Sequence, residues 1–165
     1  MDYNATLVSR EETAVIAVEA ATFPDDIGEA WKRLEALYPP RKGRRFYGLT
    51  RFDEGELRYF AAVVPPTPEA DAPAGYVRLT MQGGLYARVK LEGWPERTGE
   101  FAQVFDHLME RFELSPGGYS VEFYRSHREA HLMIPVVAPD RRVKGGSNPG
   151  GDAGEDAAQT HGDQD

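Results

Sequence analysis

Apolar residues recur at helical spacing in two segments of this chain, and each segment is followed by stretches that alternate. Ile27, Ala30, Trp31, Leu34 and Leu37 stand three or four apart, which predicts a helix of about three turns. Asp26 with Glu29 three residues on resembles a capping box at its start, and Pro39-Pro40 stops it. The second stripe is more regular: Phe101, Val104, Phe105, Leu108, Met109 and Phe112 fall at i, i+3, i+4, i+7, i+8 and i+11. Ser115-Pro116-Gly117-Gly118 closes that helix.

The strand signals follow the same order around each helix. Residues 13–20 alternate loosely ahead of the first helix. Residues 46–52 and 57–64 read as strands joined by Asp53-Glu54-Gly55-Glu56, a hairpin with glycine in the turn. Residues 76–81 and 85–91 are strand-like and split by Gln82-Gly83-Gly84, and residues 119–125 and 130–137 form a last hairpin. A β-α-β-β unit is therefore written twice, over about 5–65 and 76–138, with the proline-rich connector 65–75 between the copies. Two such units predict one α+β domain over 1–138, made of pseudo-symmetric repeats. Its antiparallel sheets should carry both helices on one face, with a ligand groove between the repeats. The expected groove lies on the face that the helices leave open. Residues 139–165 are rich in Gly, Asp and Gln without an aromatic, and are expected to be a disordered tail.

Composition narrows the function. The chain has 165 residues, 41% of them hydrophobic, and a formal net charge of −8. Net acidity argues against direct binding to a nucleic-acid backbone, which needs clustered Lys and Arg. Cysteine is absent, so neither disulfides nor thiolate metal sites can form. No secretory signal and no apolar run of membrane-spanning length is present, so a cytoplasmic protein without membrane attachment is expected.

One carboxylate stands out chemically. In Tyr119-Ser120-Val121-Glu122-Phe123-Tyr124 the side chains alternate between faces, so Glu122 and Tyr124 share one and Tyr119, Val121 and Phe123 the other. With the helices over the second set, Glu122 and Tyr124 point into the groove. A carboxylate withdrawn from water favours a cationic partner, and aromatic neighbours add cation–π attraction. The same pattern also fits an exposed carboxylate paired with Arg125 or Arg128.

At these residues the chain resembles the GyrI-like small-molecule-binding domain, which also serves as the effector-binding domain of AraC-type and MerR-type multidrug regulators. The resemblance rests on Gly84-Leu85-Tyr86-Ala87, then Leu91-Glu92-Gly93, the second helix, Val121-Glu122-Phe123-Tyr124 and the strand His131-Leu132-Met133-Ile134-Pro135-Val136. In the first copy it rests on Tyr47-Gly48-Leu49 and Tyr59-Phe60-Ala61-Ala62-Val63. The chain departs from the family pattern at Ala62, where glycine is common, and at Lys90-Leu91-Glu92, where a histidine is commoner before Gly93.

The resemblance implies a bacterial, drug-sensing or sequestering domain for lipophilic, often cationic ligands. Its cleft would be centred on Glu122 and lined by Tyr124, Tyr47, Tyr59, Trp94 and Phe101, with no cofactor. Phe101 fits simple core equally well, and Tyr47 and Tyr59 fit ordinary strand positions. No helix-turn-helix precedes the first strand, so a DNA-binding half is expected on a partner regulator or not at all. Two alternatives stay open. In the first, the protein hydrolyses electrophilic, cyclopropane-bearing natural products, with Glu122 as general base and Tyr59 or Tyr124 assisting. In the second, it acts on DNA gyrase as an inhibitor-like protein. His127-Arg128-Glu129-Ala130-His131 falls on a strand–turn–strand rather than a helix, so no metal site is expected there.

Overall fold

A computed structural model describes residues 3–67 and 70–139, so the tail from 140 onward lies outside the described residues. Eight strands and two helices occur in the order β1 (Ala5–Arg10), β2 (Thr13–Glu19), α1 (Ile27–Leu37), β3 (Phe46–Asp53), β4 (Glu56–Val63), β5 (Val77–Met81), β6 (Gly84–Glu92), α2 (Phe101–Arg111), β7 (Ser120–Tyr124) and β8 (Glu129–Pro135). The strands form one antiparallel sheet in the order β1-β6-β8-β7-β3-β4-β2-β5. This is the α+β architecture expected from the doubled pattern, with both helices on one face.

The repeats meet at the centre of the sheet, where β3 pairs with β7. Each also lends a strand to the other: β1 pairs with β6 of the second copy, and β5 with β2 of the first. In the β3–β7 ladder Gly48 stands directly opposite Glu122. The sequence offset that separates Ile27 from Phe101, the first residues of the two helices, also separates Gly48 from Glu122. The pseudo-twofold axis therefore passes between these two residues, and they are equivalent positions of the two repeats.

The alternation of each strand divides the core in two. On one face Val15, Tyr47, Leu49, Phe60, Tyr86, Val121, Phe123 and Met133 form a buried cluster drawn from strands alone. The sheet curls so that this face closes on itself. Gly83 lets the β5–β6 turn reach the β1–β2 turn, since a Cβ there would lie 2.7 Å from the Glu12 amide nitrogen. The other face carries both helices. Ala30 and Leu34 of α1 cover Ile16, Val18, Ala61 and Val63, while Val104 and Leu108 of α2 cover Val89, Leu91, Leu132 and Ile134. Each fully buried Leu or Val contributes about 1.5–3 kcal/mol of transfer free energy, which holds the helices to the outer strands.

Two expectations are corrected here. Tyr119, Val121 and Phe123 face the closed interior of the curl rather than the helices, so the helices sit on the same side as Glu122. α1 lies over β2 and β4, and α2 over β6 and β8 with Ala5 and Leu7 of β1 packed into the same cluster, so the central β3 and β7 are left as a floor between them. Alternation along a strand cannot reveal this, because it separates two faces without saying what covers either. Second, Asp26 occupies the N-cap position of α1 but its side chain makes no capping bond; it accepts a 2.7 Å hydrogen bond from Thr22 Oγ1.

Candidate functional site

The uncovered centre of the sheet is the floor of a groove of about 1540 Å³ walled by α1 and α2. On β3 the residues facing it are Phe46, Gly48, Thr50 and Phe52; on β7 they are Ser120, Glu122 and Tyr124. From α1 come Ile27 and Trp31, and from α2 Phe101 and Phe105. These helical residues are the edges of the two apolar stripes. Each stripe is wide enough to bury its middle against the sheet and still present an aromatic to the groove.

Glu122 stands at the middle of the floor, partly exposed to the groove. Its Oε1 accepts two phenolic hydrogen bonds, from Tyr124 at 2.5 Å and from Tyr59 at 3.1 Å. Tyr59 accepts in turn from the Trp31 indole N–H at 3.0 Å. A chain of donors thus runs from the first repeat (Trp31, Tyr59) to the carboxylate of the second. Tyr59 lies on β4 and Glu122 on β7, with β3 between them, and they meet over Gly48. A Cβ on Gly48 would fall 2.3 Å from Glu122 Oε1 and 2.4 Å from the Tyr59 hydroxyl. The contact exists because position 48 has no side chain.

Burial raises the pKa of Glu122 above the ordinary carboxylate value; the Tyr124 and Tyr59 hydrogen bonds pull it back only in part. The same burial, followed by the adjacent carboxylate, drives both tyrosines above the usual phenol range. They therefore remain neutral donors at any physiological pH. The site holds an acid whose ionisation burial makes less favourable than in water, and whose hydrogen-bond donors are phenols rather than a cation.

Aromatic rings surround this acid. Tyr124 meets the edge of Trp31 at 5.6 Å between centroids, Trp94 at 4.8 Å and Phe101 at 6.4 Å. Phe23 stacks on Tyr59 at 6.1 Å. Trp94 is fixed by its indole N–H, which donates to the Ser126 carbonyl at 2.8 Å.

Of the residues singled out in the sequence, Glu122, Tyr124, Tyr59, Trp94 and Phe101 come together on the groove. Tyr47 does not. It is fully buried on the closed face, stacked on Phe123 at 5.0 Å, with its hydroxyl accepting from Arg10 at 2.9 Å. Strand parity explains this, since the neighbouring Gly48 is the one paired with Glu122 and an adjacent residue points the opposite way. Sequence reasoning missed Trp31, Phe46 and Gly48. Trp31 read as one more member of the α1 stripe, although its indole N–H needs a partner that a plain core position does not supply. His131 is buried and hydrogen-bonded at 2.5 Å to Glu129. No group of three or more His, Asp or Glu able to hold a metal occurs among the described residues. No helix among them is long and apolar enough to cross a membrane.

No protein-family model matches the chain, and no curated protein matches its sequence. Solved structures do match. An integron cassette protein from the mobile metagenome of Vibrio cholerae is similar with a TM-score of 0.61 at 16% identity, over 81% of this chain and 95% of that one. SAV2435 bound to tetraphenylphosphonium is similar with a TM-score of 0.61 at 14% identity, over 84% and 95%. The C-terminal domain of EcmrR is similar with a TM-score of 0.53 at 12% identity, over 84% and 100%. At these identities the likeness is one of fold, and that fold is the one expected from the sequence's resemblance to GyrI-like domains.

Proposed function

We propose that the groove binds lipophilic, cationic small molecules, with Glu122 as the charge partner and Trp31, Tyr59, Trp94, Phe101 and Tyr124 as aromatic walls. The observation that carries this reading is the carboxylate on an aromatic groove floor, held by two neutral phenols. Burial makes ionising Glu122 less favourable than in water, and a bound cation offsets that penalty. Aromatic faces add about 0.5–2 kcal/mol of cation–π attraction. The tetraphenylphosphonium bound to SAV2435, a protein of the same fold, supports the same ligand class here.

Both tryptophans of the chain, Trp31 and Trp94, line the groove, so their fluorescence reports on its occupancy. Tetraphenylphosphonium and a neutral tetraphenyl analogue titrated into the wild type and Glu122→Gln test the reading. Saturable quenching by the cation, weakened at least about tenfold by the substitution while the neutral compound is unaffected, is the expected result. Equal loss for both compounds overturns it.

A second reading is favoured by the raised pKa of Glu122: as a general base it would take a proton from water beside an electrophilic ligand, with Tyr59 or Tyr124 donating. Turnover that is abolished in Glu122→Gln supports hydrolysis. Turnover that survives the substitution excludes Glu122 as the base.

A further inference from the structure

The groove is not the same at its two ends. The floor from Phe46 to Phe52 runs for about 20 Å at the usual rise per strand residue. Glu122, opposite Gly48, lies within that length. At the Phe46 end the lining includes the loop 40–44 and the β7–β8 turn, bringing Arg41, Lys42, Arg44 and Arg125 together with the carboxylate of Glu35, and Arg125 is paired with Glu129 at 3.9 Å. Arg44 is committed to the Pro39 carbonyl at 2.6 Å and lies over the Tyr38 ring. Arg41 and Lys42 are exposed.

The Phe52 end is mainly apolar, and Arg51, which also lines it, is held by Asp53 at 3.6 Å and by the Tyr119 ring. Eight large apolar side chains are exposed among the described residues, and five of them gather here: Phe23 at 39%, Phe52 at 69%, Leu57 at 48%, Met109 at 44% and Leu114 at 47%. A contiguous exposed apolar patch that continues a ligand groove marks a binding surface. The groove also exceeds the roughly 300–1000 Å³ of compact ligand pockets.

We propose that the groove takes an elongated zwitterionic amphiphile in one polarity. Its apolar chain lies over Phe52, Leu57 and Leu114, its cationic centre sits at Glu122, and its anionic terminus lies at Arg41 and Lys42. The inference rests on the cation-binding reading of Glu122 and adds the order of groups along the ligand. A molecule with the charges reversed, anion nearer the chain, sets its phosphate against Glu122 and leaves its ammonium among the basic side chains.

Three probes of equal chain length test this below their micellar concentrations: decyltrimethylammonium, a decyl sulfobetaine (chain, ammonium, propylsulfonate) and decylphosphocholine (chain, phosphate, ammonium). The sulfobetaine is expected to bind about fivefold or more tighter than the alkylammonium, with a gain that shrinks as salt rises. Decylphosphocholine is expected to show no gain. In the double variant Arg41→Ala/Lys42→Ala the sulfobetaine falls to the alkylammonium's affinity while the alkylammonium is unchanged. In Phe52→Ser/Leu57→Ser the gain of a decyl over a butyl chain is lost. Both pairs are exposed, so neither double variant threatens the fold. Alkylammonium binding that depends on Glu122, with no sulfobetaine gain or with a gain that survives Arg41→Ala/Lys42→Ala, overturns the polarity alone. Equal gain for decylphosphocholine overturns it too. Absence of alkylammonium binding, or binding indifferent to Glu122→Gln, overturns the cation reading beneath it.

Discussion

Adding one methyl group at Gly48 should uncouple the two halves of the site. Gly48 is fully enclosed and does not adopt left-handed backbone, so alanine is conformationally acceptable there and would gain about 0.5–1 kcal/mol from reduced chain entropy. Against this stands its Cβ, at 2.3 Å from Glu122 Oε1 and 2.4 Å from the Tyr59 hydroxyl. Relieving those contacts means moving the carboxylate, the phenol or both, with loss of the 3.1 Å bond between them. Overpacking costs about 1–3 kcal/mol, and leaving a buried polar group without its partner costs a further 1–3 kcal/mol or so. Gly48→Ala should therefore destabilise by about 1–5 kcal/mol after the entropy gain is subtracted, read as a lower urea midpoint at unchanged slope. Glu122→Ala removes one of the two clashing groups and opens the space into which the Tyr59 hydroxyl, the far end of its side chain, can shift to clear the other. In that background Gly48→Ala should cost under about 1 kcal/mol, a coupling large enough for a double-mutant cycle. Gly28→Ala is the control: nothing lies within 4 Å of its added Cβ and it sits exposed on α1, so it should stabilise by about 0.5–1 kcal/mol. Equal cost of Gly48→Ala in both backgrounds would refute the steric argument and place its effect in the backbone.

The remaining predictions follow from the same groups. The folded pKa of Glu122 lies above its unfolded value, so its folded state binds the proton more tightly. Its contribution is most favourable below the unfolded carboxylate pKa and is lost as pH rises through the folded one. Urea midpoints measured from acid to neutral pH should show this fall in the wild type and its disappearance in Glu122→Gln. Glu100 has the opposite sign: the Arg97 guanidinium and the Tyr3 hydroxyl hold it down to about 2, so Glu100→Gln should remove stability that is present above the ordinary carboxylate pKa. Tetraphenylphosphonium binding should weaken as pH falls below the Glu122 pKa, with uptake of the cation releasing a proton measurable in buffers of different ionisation enthalpy. Trp31→Phe removes the N–H donor to Tyr59 and should cost about 1 kcal/mol while leaving Trp94 as a single reporter of ligand. Leu108→Ala, at a fully buried contact of α2, should cost about 2–5 kcal/mol by thermal or urea unfolding.

Much of the architecture was legible in the chain because local chemistry decides it. The stripes at 27–37 and 101–111, the glycine turns and the repeated order of elements each report a short-range preference, and the helices and hairpins stand where those preferences put them. The strand at Ala5–Arg10 was not separable from the one after it, because its main partner is β6, nearly eighty residues away. Glu122 and Tyr124 were found together because alternation places i and i+2 on one face. The family resemblance alone put Tyr47 on the cleft; the register shows that its neighbour Gly48 is the residue on the groove side.

By itself, then, the sequence determined what each residue can do within a few positions of itself: which helical stripe is apolar, which strand face carries a carboxylate, where the chain must turn. Which faces meet was decided only by the tertiary structure. The curl of the sheet buried one face against itself and put the helices beside Glu122, and the pairing of β3 with β7 set Gly48 against that residue. The chain of hydrogen bonds from Trp31 through Tyr59 to Glu122 spans both repeats, and no local pattern encodes it. The physical reason is that burial, pKa and contact depend on what closes over a side chain, and here those neighbours come from the other half of the molecule.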